Sequence, residues 1–246
     1  MRTLPAWPSG YGQIRFDELD STNSEARRRA QAGEQGPVWI SAARQSAGRG
    51  RRGRVWDGGQ GNLAATLLLR PAAPASNIGQ LSFAAALAAA DMARHFAPDA
   101  AIQVKWPNDV LAGGRKLAGI LLESGEDSGS RWLAIGIGVN LASFPPAAEF
   151  PAIALAQLGF AAPSPQDALT VLAARFAHWY DAWMREGFET VRAAWLARAG
   201  GLGKSIRARL PDAVHEGVFE GLDASGALLL NQQGQLRAIA AGEVFF

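Results

Sequence analysis

Two stretches, Lys116–Glu123 and Trp132–Val139, are nearly continuous in apolar residues, the pattern of strands covered by helices rather than half open to water. A chain that contains such strands must also supply the helices that cover them. Asn77–Phe96 is rich in Ala and Leu, is bounded by Asn77 and Pro98, and reads as a long buried helix. Pro165–Met184, with a proline at its start, and Phe188–Ala199 read as two more. Gln13–Leu19, Val38–Ala42, Asn62–Leu69 and Ala101–Lys105 add strands. Thr22 followed by Glu25 is a capping-box pattern, which predicts a helix from there to about Gly33. The expected fold class is α+β, a mixed sheet flanked by helices.

After Gly200-Gly201 the pattern changes. Ser205–Leu210, Glu216–Gly221, Leu228–Asn231 and Leu236–Ala240 read as short strands separated by turns at Pro211-Asp212, Asp223–Gly226 and Gln232–Gly234, as in a small β-barrel. The expected division is therefore 1–200 and 201–246, and 246 residues suffice for a large domain plus a small one. A net charge of +2 gives no argument for a nucleic-acid partner, and the absence of cysteine excludes disulfides, thiol catalysis and cysteine-bound metal. Met1–Pro5 lacks a signal-peptide core, and the apolar stretch Phe83–Ala93 is broken by Asp91 and too short for a bilayer. The expectation is a soluble, cytoplasmic protein with no membrane partner.

Two apparent nucleotide motifs fail on context. Gly48, Gly50 and Gly53 match G-x-G-x-x-G, but the segment after them continues as loop into a strand instead of opening a helix. Gly201–Ser205 imitates the end of a P-loop, yet position 198 is Arg198 and a helix precedes it. What remains of the first is a loop, Gly48–Arg54, in which glycines alternate with four arginines, bidentate donors suited to oxyanions. The plainer reading of such a loop is a solvated basic segment. Lysine is scarce: Lys105, Lys116 and Lys204 are the whole set. Two of them flank Lys105-Trp106-Pro107-Asn108-Asp109-Val110 and the following Gly113–Glu123, a hairpin-like connection that gathers Asn108, Asp109 and Lys116. Ile135–Leu141 carries Gly136 and Gly138, small enough for close ligand approach, and Asn140. His95, His178 and His215 show no metal spacing, and no metal site is expected.

In this order and spacing, Ser21-Thr22-Asn23, Gln45 with Gly48–Arg54, Lys105–Asp109, Lys116–Gly119 and Gly136–Asn140 resemble the catalytic domain of biotin–protein ligases. Phe219–Asp223 and Gly226–Leu230 resemble that family's C-terminal SH3-like domain. The resemblance implies activation of biotin by ATP to biotinyl-5′-AMP, with Mg²⁺, and transfer to a lysine of a biotin carboxyl carrier protein of acetyl-CoA carboxylase or a related carboxylase. It places Ser21, Thr22, Asn23, Gln45, Arg49, Gly50, Arg51, Lys116, Gly119, Gly136 and Gly138 around biotin. Arg51, Arg54, Trp56, Asn108, Lys116 and Asn140 fall around ATP, and Lys116, Arg51 and Asp109 carry the chemistry. Thr22 as a helix cap, Asp109 as a turn residue and Trp56 as a core aromatic are the structural alternatives. A carboxylate attacking a phosphate needs cations to bring two anions together, the role expected of Lys116 and Arg51; Asp109 would orient the acceptor amine or take its proton.

The sequence departs from the family after Trp56, where Asp57–Gly61 lacks a common Ser-Pro, and at Phe246, where a C-terminal arginine contact to ATP is not found. About twenty residues precede Ser21, too few for the winged helix-turn-helix of bifunctional relatives, so no DNA partner is expected. A homodimer is compatible with the resemblance. The enzyme alternative is a lipoate or octanoyl ligase or transferase of the same fold. The alternative of another class is a basic nucleic-acid-binding module built on Arg49–Arg54, which predicts salt-sensitive binding.

Overall fold

The computed structural model describes residues 3–56, 58–127, 130–145 and 150–246. The large sheet is built from β1 (Gly12–Leu19), β2 (Val38–Gln45), β3 (Leu63–Leu69), β4 (Ile102–Lys105), β5 (Asp109–Ala112), β6 (Arg115–Asp127) and β7 (Ser130–Val139). Its spatial order is β1-β2-β3-β7-β6-β5-β4, parallel between β1 and β2 and antiparallel elsewhere. The helices are α1 (Thr22–Gln31), α2 (Leu81–Phe96), α3 (Pro165–Glu186) and α4 (Phe188–Leu196).

The central strands are apolar on both faces because both are covered, although unequally. Ile135, Ile137 and Val139 of β7 point into the main core with α2, α3 and α4. Leu81, Leu87 and Met92 of α2 are completely buried there, each stabilising the fold by about 1.5–3 kcal/mol. Phe83 lies edge-on to Trp195 at 5.4 Å and to Phe188 at 5.3 Å, tying α2 to α4. The opposite face is roofed by the short α1, whose Ala26 and Ala30, one turn apart, pack on Ile40, Leu68, Trp132 and Ala134.

Register shows where that roof ends. Leu68, Ala134 and Glu123 form one cross-strand row, Thr66, Gly136 and Leu121 the next, and Ala64, Gly138 and Gly119 the next. The first row lies under α1. The second, under Thr22 and Asn23 of its first turn, and the third, under the Trp56 ring, floor a trough.

The second sheet comprises β8 (Ser205–Arg209), β9 (Val214–Leu222), β10 (Leu228–Gln232), β11 (Gln235–Ile239) and β12 (Glu243–Phe245), antiparallel in the order β11-β10-β9-β8-β12. The Trp106 indole N–H donates to Gly226 O at 3.0 Å, so the turn before β10 is fixed to the segment between β4 and β5.

Three local expectations changed. Asp109–Ala112 is a strand rather than a connection, and Glu243–Phe245 is an unanticipated strand paired with β8. The Thr22–Glu25 capping box does not form: Ser21 occupies the N-cap position, Thr22 bonds elsewhere, and Glu25 pairs with Arg28 and Arg29. No described helix is long and apolar enough to cross a membrane.

Candidate active site

One cavity of about 330 Å³ lies over the trough and extends to β12. The residues that the resemblance places around biotin and ATP all line it: Ser21, Thr22, Asn23, Gln45, Arg49, Gly50, Arg51, Arg54, Trp56, Asn108, Asp109, Lys116, Gly119, Gly136, Gly138 and Asn140.

One end is neutral and polar. Gln45 Oε1 accepts from the Thr22 N–H at 2.8 Å and from Thr22 Oγ1 at 3.1 Å. Thr66 donates to Asn23 Oδ1 at 2.6 Å, and Asn23 Nδ2 donates to Glu123 Oε2 at 2.8 Å. Ser21, Thr22 and Asn23 are all under 5% exposed, although they open a helix. Thr66 and Glu123 fix that constellation and were not anticipated; the sole sequence signal was a hydroxyl and a carboxylate inside apolar strands. Arg49 donates to Ser24 Oγ at 2.9 Å and lies 3.4 Å from Glu123.

The middle is shallow and glycine-floored. A Cβ on Gly136 would come within 2.3 Å of Asn23 Oδ1, and one on Gly138 within 2.2 Å of the Trp56 ring. The Trp56 indole thus rests directly on the sheet rather than in the core, its N–H buried without a partner. The arginine loop folds back on itself: Trp56 N donates to Gly48 O at 2.9 Å and Gly50 N to Arg54 O at 2.7 Å.

The far end is charged. Lys116 Nζ lies 2.7 Å from Asp109 Oδ1, while Lys105 Nζ is 4.0 Å from Oδ2. The backbone of Lys116 is fixed from the side, its N–H donating to Pro151 O and its carbonyl accepting from Ile153 N. Asn140 braces the same place, Nδ2 donating to Ile153 O at 3.2 Å, while its Oδ1 is buried without a partner. Asn108 Nδ2 donates to Ile120 O at 2.6 Å, and its Oδ1 accepts from Arg51 at 3.2 Å.

The positive charge of the arginine loop is offset by β12 and the residue before it. Arg51 donates to Gly242 O at 3.4 Å, and Arg54 and Arg52 lie 2.5 and 3.6 Å from Glu243, which also pairs with Arg209. Burial works to raise the Glu243 carboxyl, but its bonds from Arg54 and Arg209 prevail and hold it at about 2. Burial lowers the Arg51 guanidinium, and neighbouring Arg52 acts the same way. Burial also lowers Lys105, against the pull of Asp109.

A neutral headgroup pocket, a narrow trough and a cationic end suit an acid that is to be joined to a phosphate. The chain belongs to the Biotin/lipoate A/B protein ligase family, which it matches over residues 11–140, and residues 201–246 match the Biotin protein ligase C terminal domain. It is 47% identical over 92% of its length to the biotin–[acetyl-CoA-carboxylase] ligase of Paracoccus denitrificans, covering 97% of that protein. The Mycobacterium tuberculosis protein of the same name is 34% identical, with 96% of this chain and 90% of that one covered. In fold it is similar to the biotin protein ligase from Aquifex aeolicus in complex with biotin and ATP, with a TM-score of 0.82, 24% identity, and coverage of 95% and 97% of the two chains.

Proposed function

We propose that this protein activates biotin with ATP to biotinyl-5′-AMP and transfers the biotin to a lysine of a biotin carboxyl carrier protein of a carboxylase. The observation that carries the reading is the polarity gradient along a single cavity, from Thr22, Asn23 and Gln45 to Lys116 and Arg51. A ureido ring needs both donors and acceptors and no charge, which the Ser21–Asn23 end supplies. Gly119 and Gly138 let the Trp56 ring, and Gly136 lets Asn23, lie flat on the floor, so that the acyl chain passes alongside them, with Arg49 and Gly50 nearby.

Lys116 and Arg51 draw the biotin carboxylate to the α-phosphate and stabilise the charge that develops there. Arg54, Asn108, Asn140 and Trp56 surround the nucleotide, with the open Asn140 Oδ1 as an acceptor. In the second step the acceptor amine attacks the acyl carbon and AMP leaves. Asp109, beside Lys116, orients that amine and accepts its proton. The two carboxylates in the cavity, Asp109 and Glu243, are both paired with cations, so a resident metal is not what this donor set fits. Mg²⁺ fits instead as a partner of the triphosphate oxygens, arriving with the substrate.

The working division is a catalytic unit, 1–200, and a C-terminal unit, 201–246, in a cytoplasmic protein compatible with a homodimer. ATP–pyrophosphate exchange dependent on biotin is the test. Exchange supported by lipoate and not by biotin would transfer the assignment to the lipoate branch.

A further inference from the structure

We infer that Lys105 is the cation that holds the departing pyrophosphate, an inference that rests on the adenylation reading above. Lys105 is 8% exposed, yet it faces the cavity. Among the described residues its ammonium has no hydrogen-bond acceptor, and its one ion-pair contact, to Asp109, is at 4.0 Å, the carboxylate being taken up by Lys116 at 2.7 Å. The ammonium therefore turns its donors to the cavity, where an arriving anion can take them up. The aromatic rings of Phe150 and Phe245, at 4.5 and 5.8 Å, hold the cation in place without satisfying those donors.

Position assigns the ligand. In phosphoryl and nucleotidyl transfer the attacking and leaving oxygens are roughly in line across the phosphorus. Here the acid enters from the Asn23 end, so its carboxylate oxygen meets the α-phosphorus at Lys116. The bond from that phosphorus to the bridging oxygen breaks on the opposite side, and pyrophosphate leaves with the electron pair. Lys105 approaches the other oxygen of Asp109 from the one that Lys116 meets, and shares the Phe150 ring with Arg54. Along the cavity five cations, Arg49, Arg51, Arg54, Lys105 and Lys116, face two carboxylates, an excess suited to a polyphosphate. Burial that disfavours the lone ammonium also makes it answer strongly to an arriving anion.

The test separates the two half-reactions. Lys105→Met should lower ATP–pyrophosphate exchange by roughly 10²–10³-fold, the loss expected for one transition-state donor, and raise the concentration of pyrophosphate needed for inhibition. Transfer from purified biotinyl-5′-AMP to a carrier domain, which involves no pyrophosphate, should fall far less, and Lys105→Arg should recover much of the exchange. Parallel loss of both half-reactions in Lys105→Met and Lys105→Arg would overturn the inference in favour of a role through Asp109 or the fold. Unchanged pyrophosphate inhibition would overturn it as well. Failure of the wild-type protein to exchange with biotin would instead refute the adenylation reading itself.

Discussion

Substituting Gly136 by Ala adds one methyl group and should disable recognition of the acid at its headgroup end. An ideal Cβ there lies 2.3 Å from Asn23 Oδ1, whereas an ordinary C···O contact is about 3.3 Å. Asn23 must therefore retreat by about 1 Å. It is held by a 2.6 Å bond from Thr66 and a 2.8 Å bond to Glu123, neither of which survives such a shift. A buried group left unsatisfied costs about 1–3 kcal/mol. Losing about 3 kcal/mol of ligand-ready geometry corresponds to roughly 10²-fold weaker binding of biotin. Titration calorimetry measures that directly, and the melting temperature should fall by no more than about 6–12 °C, at about 2–4 °C per kcal/mol for a chain of this size. A Gly136→Ala protein that binds biotin within threefold of wild type would show that Asn23 is not at the headgroup.

Lys116→Ala should reduce adenylation by roughly 10²–10³-fold or more, with a loss of less than about threefold marking the lysine as a bystander. Arg51→Gly removes the contacts to Asn108 and Gly242 and should let biotinyl-5′-AMP escape; serum albumin incubated with biotin, ATP and the variant would be labelled faster than with wild type. Glu243 titrates at about 2 in the fold against an ordinary 4.5, so it stabilises the protein above pH 4.5 and loses that contribution as pH falls towards 2. Glu243→Gln should accordingly be less stable near neutrality by about 3 kcal/mol, from 1.36 kcal/mol per unit, and urea unfolding at falling pH should show the gap closing. A gap that stayed constant down to pH 2 would break the assignment.

The elements easiest to read were those whose periodicity is decided by burial. The continuous apolar runs of β6 and β7 and the Ala-rich α2 allow few alternatives. Thr22 misled because two uses compete for one hydroxyl, and tertiary contacts with Gln45 and Thr66 prevailed over the local cap. Strand β12 has three residues and no pattern of its own; its partner β8 defines it. For the site, residue types in order were enough to collect the lining of one cavity. Thr66, Glu123 and Glu243 were not collected, because each acts across a separation that the sequence does not display: Glu243 meets Arg54 from 189 residues away. Trp56 was placed with the nucleotide, and only the structure shows its indole lying on Gly138.

The cross-strand rows also make the sheet a ruler. Thr66, Gly136 and Leu121 stand at the headgroup end, and Ala64, Gly138 and Gly119 stand one same-face step nearer to Lys116. Successive same-face positions are about 7 Å apart along a strand. The separation between recognition and chemistry is therefore counted in backbone steps and cannot be tuned continuously. A side chain can be exchanged without altering it, whereas a slip in pairing would change it by a whole step and turn the floor over. An acid with the right headgroup but a chain too short or too long would deliver its carboxylate to a place where no ammonium waits.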